Sequence, residues 1–116
     1  MSAAIRTALA AAANTHLGAN KVTPYYRQTT TAGWGWVSMG RRDRDASGFG
    51  FLDTWEIRVV LSSDIAKAEK WIDQHSDALT AAVAEEVVVT SLTPAILNLD
   101  SKTTVNALII EGVREH

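Results

Sequence analysis

Cysteine is absent from the 116 residues. Disulfides and thiolate metal sites are therefore excluded, and the redox compartment stays undecided with a lean towards cytosolic assembly. An excess of one charge is lacking too. Eleven basic against thirteen acidic side chains leave a formal net charge of −2, so the chain as a whole is not a polyanion binder. No apolar run approaches the roughly 20 residues of a membrane span. The N-terminal stretch has one Arg followed by an alanine-rich run, the layout of a secretory leader. Its apolar part is mostly alanine, which makes a poor targeting core but the best helix former, so a folded helix is expected there.

Reaction motifs are missing as well. There is no Gly-x-Ser-x-Gly and no nucleophilic cysteine. The pairs Gly33/Gly35 and Gly48/Gly50 lie near strand patterns with no following helix, which argues against a phosphate cradle. The histidines are His16, His75 and His116. His75 lies between Asp73 and Asp77, and a spacing of two on a helix points side chains to different faces. They are expected on a solvated helix face, not as metal ligands. Glu85 and Glu86, neighbours at a helix C-terminus, diverge and sit at the unfavourable end of the helix dipole. No catalytic, metal or cofactor site is expected.

What is present is a well-patterned fold. The hydrophobic share of 47% and charged share of 21% are ordinary for a globular protein. One domain over residues 1–116 is the natural division, long enough to bury a single core without staples. Ser2 can cap a first helix whose stripe is Ile5, Leu9, Ala12, Ala13 and His16, stopped at Gly18. Residues 21–30 are rich in β-branched and aromatic side chains and read as a strand, with Pro24 at its beginning or on an edge. Residues 31–39 extend a strand or form a loop. In a strand, Trp34 and Trp36 would share a face.

Residues 40–50 carry three glycines, mixed charges and no apolar period, so an exposed loop is expected. The clearest pattern follows at 53–62, with Trp55, Ile57, Val59 and Leu61 on one face and Glu56, Arg58 and Ser62 on the other. Ser63 or Asp64 then caps a long helix with the stripe Ile65, Ala68, Ile72, Leu79, Ala82 and Val83. Residues 87–93 read as a strand that Pro94 bends or ends, and 95–99 continue the arm. Asp100, Ser101 and Lys102 turn the chain. Residues 103–114 alternate with both faces fairly apolar, the mark of a central strand covered on both sides. The expected fold is α+β: a mixed, mostly antiparallel sheet of about four strands, in the order α-β-β-α-β-β, with helices on one face. A second subunit would serve to cover the last hairpin.

Candidate interaction residues concentrate around 34–51. Arg41, Arg42 and Arg44 are the candidate partner or lumen residues, with Asp43 and Asp45 neutralising much of their charge. Trp34, Trp36, Phe49 and Phe51 are the candidate interface aromatics, since tryptophan combines large area with a polar handle. Core packing is the competing reading for the two tryptophans. Basic residues interleaved with aromatics also suit a single nucleic-acid strand, although three positive against two negative charges is weak for phosphate.

The layout resembles the tail terminator proteins of long, non-contractile-tailed phages. The resemblance rests on the N-terminal helix at 3–17, the extended segment 22–27, the irregular 40–50 region, the strand WEIRVVLSS at 55–63 and the helix over 64–86. It continues in VVVTSLTP at 87–94 and the final strand VNALIIEGVREH at 105–116. It implies a virion protein that forms a ring, hexameric in that family, at the head-proximal end of the tail tube. It implies three partners: further copies of the chain, the tail tube protein, and a neck or head-completion protein. DNA would pass through the lumen without specific binding, and neither cofactor nor membrane is implied. By the same analogy the arginines face the ring surface or lumen. Competing readings are a neck or head–tail adaptor, a small-ligand-binding ferredoxin-like domain with a pocket of Trp34, Trp36 and Tyr26, and a single-strand binder.

Overall fold

The computed structural model describes residues 2–44, 50–100 and 102–115. Its elements are α1 (Ser2–Leu17), β1 (Val22–Thr23), β2 (Gly35–Arg44), β3 (Phe51–Val60), α2 (Ile65–Val83), β4 (Val88–Asn98) and β5 (Thr104–Glu115). The alternation in β3 becomes a two-sided strand. Trp55, Ile57 and Val59, with Leu61 just beyond, face the helices and are all but inaccessible. They meet Val37 of β2, Leu108 and Ile110 of β5, Leu9 and Ala13 of α1, and Ala68, Leu79 and Val83 of α2. The small side chains of α1 let it lie against both α2 and the β1–β2 edge.

The five strands are ordered β1-β2-β3-β5-β4. Only the β1–β2 pairing is parallel; the other three are antiparallel. The fold is thus α+β with a mixed, mostly antiparallel sheet and two helices packed against it, as expected, with one short strand more. β5 is an interior strand, as its apolar character predicts, with β3 on one side and β4, the far edge, on the other. Gly35 pairs with Val59, and a Cβ there would strike the carbonyl oxygen of Arg58. Only glycine fits at that crossing.

The start of α2 and the end of α1 follow their sequence signals. The Asp64 carboxylate accepts hydrogen bonds from the N–H groups of Ala66 (2.9 Å) and Lys67 (3.3 Å). Gly18 closes α1 in a left-handed conformation at φ 112°, its N–H bonded to the Asn14 carbonyl. The Asp100 side chain turns the β4–β5 hairpin by accepting from the N–H groups of Lys102 and Thr103, both at 2.8 Å.

Several expectations are corrected. The strand expected over 21–30 shrinks to Val22–Thr23. The Asn14 amide takes the place of a further strand, accepting from Val22 N–H (2.8 Å) and donating to Val22 C=O (3.0 Å). Pro24 then has no N–H to continue a ladder. Strand structure resumes only at Gly35, so Trp34 lies outside it. The loop expected from residue 40 starts later, because Gly40 to Arg44 belong to β2; residues 45–49, including Phe49, lie outside the described residues. Pro94 neither bends nor ends β4, which runs through it opposite Leu108. An edge strand tolerates the missing donor. α2 stops at Val83 instead of reaching Glu86. Ile65, assigned to its buried stripe, is 68% exposed. α2 packs on α1 and β5, and its first turn reaches no further cover.

Candidate interaction surfaces

The three arginines do not form one patch. One residue normally separates successive inward positions of a strand, but the ladder slips between Met39 and Arg41. This bulge turns Arg42 to the helix side, opposite Asp53. There its Nε and Nη2 donate to the two Asp53 carboxylate oxygens at 2.6 and 2.8 Å. The Asp53 side chain is 1% exposed and that of Arg42 35%. The guanidinium also lies over Phe51, 5.1 Å from the ring centroid. Its pKa is raised, chiefly by the hydrogen bonds to Asp53 and further by the carboxylate charge. Arg41 points the other way and pairs with exposed Asp43 at 2.9 Å. Arg44 is exposed and makes no ion pair among the described residues.

The aromatics also separate. Trp36 is buried at 4% exposure on the sheet face away from the helices, with Tyr26 set edge-on against it at 5.0 Å. Trp34 is half-buried and stacked by cations, with Arg27 at 4.3 Å and Lys21 at 5.2 Å from its ring. Phe51 is 38% exposed at the start of β3.

At the β4–β5 turn end of the sheet lies an open cavity of about 630 Å³. Arg6, Tyr25, Tyr26, Trp36, Arg58 and Ile96 shape it, and no carboxylate residue lines it. Arg6 is held by Nη1 bonds to the carbonyls of Pro24 and Val37, both 3.1 Å, and by the ring of Tyr25 at 4.8 Å. Arg58 Nη2 bonds Glu56 at 3.0 Å, while its buried Nε has no hydrogen-bond partner among the described residues. Tyr25 and Tyr26 are 57% and 56% exposed. Trp34 takes no part in the lining.

The opposite end carries a shallow depression of about 420 Å³ lined by Leu52, Glu85, Glu86, Val88, Val113 and Glu115, among others. Arg114 is its one cation among the described residues, and it is committed to Glu86 at 3.0 Å. Between the two ends, an apolar groove of about 450 Å³ runs between α2 and β4, walled by Ile65, Ala68, Ile72, Pro94 and Ile96. Ile96 is 71% exposed, Val88 70% and Leu92 37%.

One contact escaped the sequence reading. His75 is half-buried, not on a solvated face: its Nδ1 lies 2.9 Å from His16 Nε2, and its ring packs on Trp71 at 4.7 Å. One imidazole donates and the other accepts, which ties α1 to α2. The only signal was His16 in the apolar stripe of the first helix. Asp73 and Asp77 stay exposed and apart from it. Among the described residues no three His, Cys, Asp or Glu side chains converge on a metal position, and no helix is long and apolar enough to cross a membrane. No nucleophile–base pair is assembled among them either.

No family model matches the chain, and no curated protein does. Among solved structures, the chain is similar to one described as "Virion of native gene transfer agent (GTA) particle", at 15% identity and a TM-score of 0.44, over 95% of this chain and 92% of that one. At that level the likeness carries no functional weight.

Proposed function

We propose that the chain is a structural virion protein: a tail terminator whose ring caps the head-proximal end of a phage tail tube, ends tube growth and offers a surface to the neck. The observation that carries this reading is the exposed apolar stripe of Ile65, Leu92 and Ile96 beside the α2–β4 groove, with Val88 further along β4. Large aliphatic side chains left in water on an otherwise completed core favour burial against another protein, at about 25 cal/mol per Å² covered. The order of elements resembles the layout of the phage tail terminator family and supports this kind of assembly. Copies of the chain, the tube protein and a neck protein are the partners, and the ring's action is steric. Arg41 and Arg44 are the arginines proposed to face a partner or the lumen, while the Arg42 head group is engaged by Asp53.

Negative-stain electron microscopy of the concentrated protein, alone and with purified tail tubes, tests this. Closed rings or tubes capped at one end are expected. A monomer that ignores tube ends would refute the terminator role. A neck adaptor, the nearest alternative, would bind portal-side proteins and leave tubes bare.

The cavity of Tyr25, Tyr26 and Trp36 favours a second reading, a small-ligand-binding domain. Trp36 fluorescence reports on it directly. A flat response across a small-molecule screen removes it.

A further inference from the structure

The two ends of the sheet carry unlike surfaces that fit one another in charge and in apolar character. The cavity end presents the guanidinium group of Arg6, and that of Arg58 partly offset by its 3.0 Å pair with Glu56, among Tyr25, Trp36 and Ile96, with no acidic residue in the lining among the described residues. The other end presents Val88, protruding at 70% exposure, beside Glu85, Glu86 and Glu115. Arg114 neutralises Glu86, and Glu85 and Glu115 make no ion pair among the described residues. Val88 begins β4 and Ile96 lies near its end. At about 3.3 Å per residue the two are roughly 26 Å apart along the strand, so neither end can satisfy the other within one molecule.

Resting on the assembly reading above, we propose that a second copy of this chain inserts its Val88–Glu85–Glu115 end into the Arg6–Arg58–Tyr25 cavity of the first. The contact is heterologous: each copy uses one end as knob and the other as socket. Repeated contacts of that kind close into a ring when the rotation between neighbours divides a full turn. The buried Arg58 Nε, unpartnered in the single chain, gains an acceptor from the incoming carboxylates. Tyr25 and Ile96 bury the valine. Opposite charges steer the two ends together and disfavour socket against socket.

The test uses two folded variants of the full chain, Tyr25→Ser/Ile96→Ser for the socket and Glu85→Lys/Val88→Lys for the knob. All four positions are exposed, so circular dichroism and melting should match the parent. Sedimentation, alone and on tail tubes, should show the parent associating and each variant at least tenfold weaker. Mixed in equal amounts, the variants retain one intact knob and one intact socket, so they should form dimers and nothing larger. Two outcomes overturn the contact: variants that assemble like the parent, or a mixture that stays monomeric while the parent forms rings. In both, the rings themselves leave the terminator reading standing. A parent that stays monomeric with and without tubes overturns both.

Discussion

At the residue scale, the arginines divide by a single slipped hydrogen-bond register. Arg42→Ser should lower the melting temperature by several degrees, because it leaves the Asp53 carboxylate buried without its bidentate partner. Arg41→Ser/Arg44→Ser should leave the melt unchanged and weaken association with tube or ring partners. If the double variant melts early while Arg42→Ser does not, the assignment is reversed. Asp100 supplies a pH-dependent contribution. Its pKa lies below the ordinary value, mainly through the Lys102 N–H and then through Thr103 and Gln28. A depressed carboxylate stabilises the fold at neutral pH. That contribution fades as the pH falls below about 3.9 and is gone below the folded value. Urea midpoints of the parent and Asp100→Ala should therefore differ at pH 6 and draw together as the pH falls through the folded value. Asp100 was legible as a turn residue because its neighbours are small and polar. Arg42 was not, since a bulge leaves no mark in apolar alternation and its parity flips the side chain unseen.

At the element scale, period decided what could be read. β3 alternates cleanly because one face is core, and the α2 cap at Asp64 was readable because a short acceptor precedes an apolar 3.6-residue repeat. Asp64→Ala should cost about 1 kcal/mol through two lost N–H acceptances. Leu79→Ala should cost more, about 3 kcal/mol, since Leu79 is fully buried and its loss opens a cavity. Chemical denaturation ranks the two, and equal losses would mean that the α2 stripe is not the main anchor. The strand expected over 21–30 failed for the opposite reason. Its β propensity is real, but one amide from Asn14 fills the position of a strand partner, a long-range event that no local window contains. Ile65 was misplaced because periodicity gives a helix face without saying how far the neighbouring layer extends.

At the scale of the whole molecule, the candidate site proved less legible than the fold. The arginines and aromatics singled out by composition are dispersed by the sheet. The surfaces that remain open are assembled from residues distant in sequence, such as Arg6 with Arg58 and Glu85 with Glu115. If copies join through oppositely charged ends, association should weaken as salt rises from 50 to about 500 mM, where screening shortens to a few ångströms. Association that strengthens with salt, followed by sedimentation, would point to the apolar α2–β4 groove alone. The position of β5 has a consequence for synthesis. The strand lies between β3 and β4, with Leu52 set opposite Glu115. Both neighbours leave the ribosome before it does, and each waits with an open edge. β1, β2 and β3 can pair as they emerge, but β4 has no partner until the last strand arrives. The sheet is completed in a late step, when residues 104–115 emerge and thread the gap, and until then the open edges of β3 and β4 are targets for chaperones and for any other strand that arrives first.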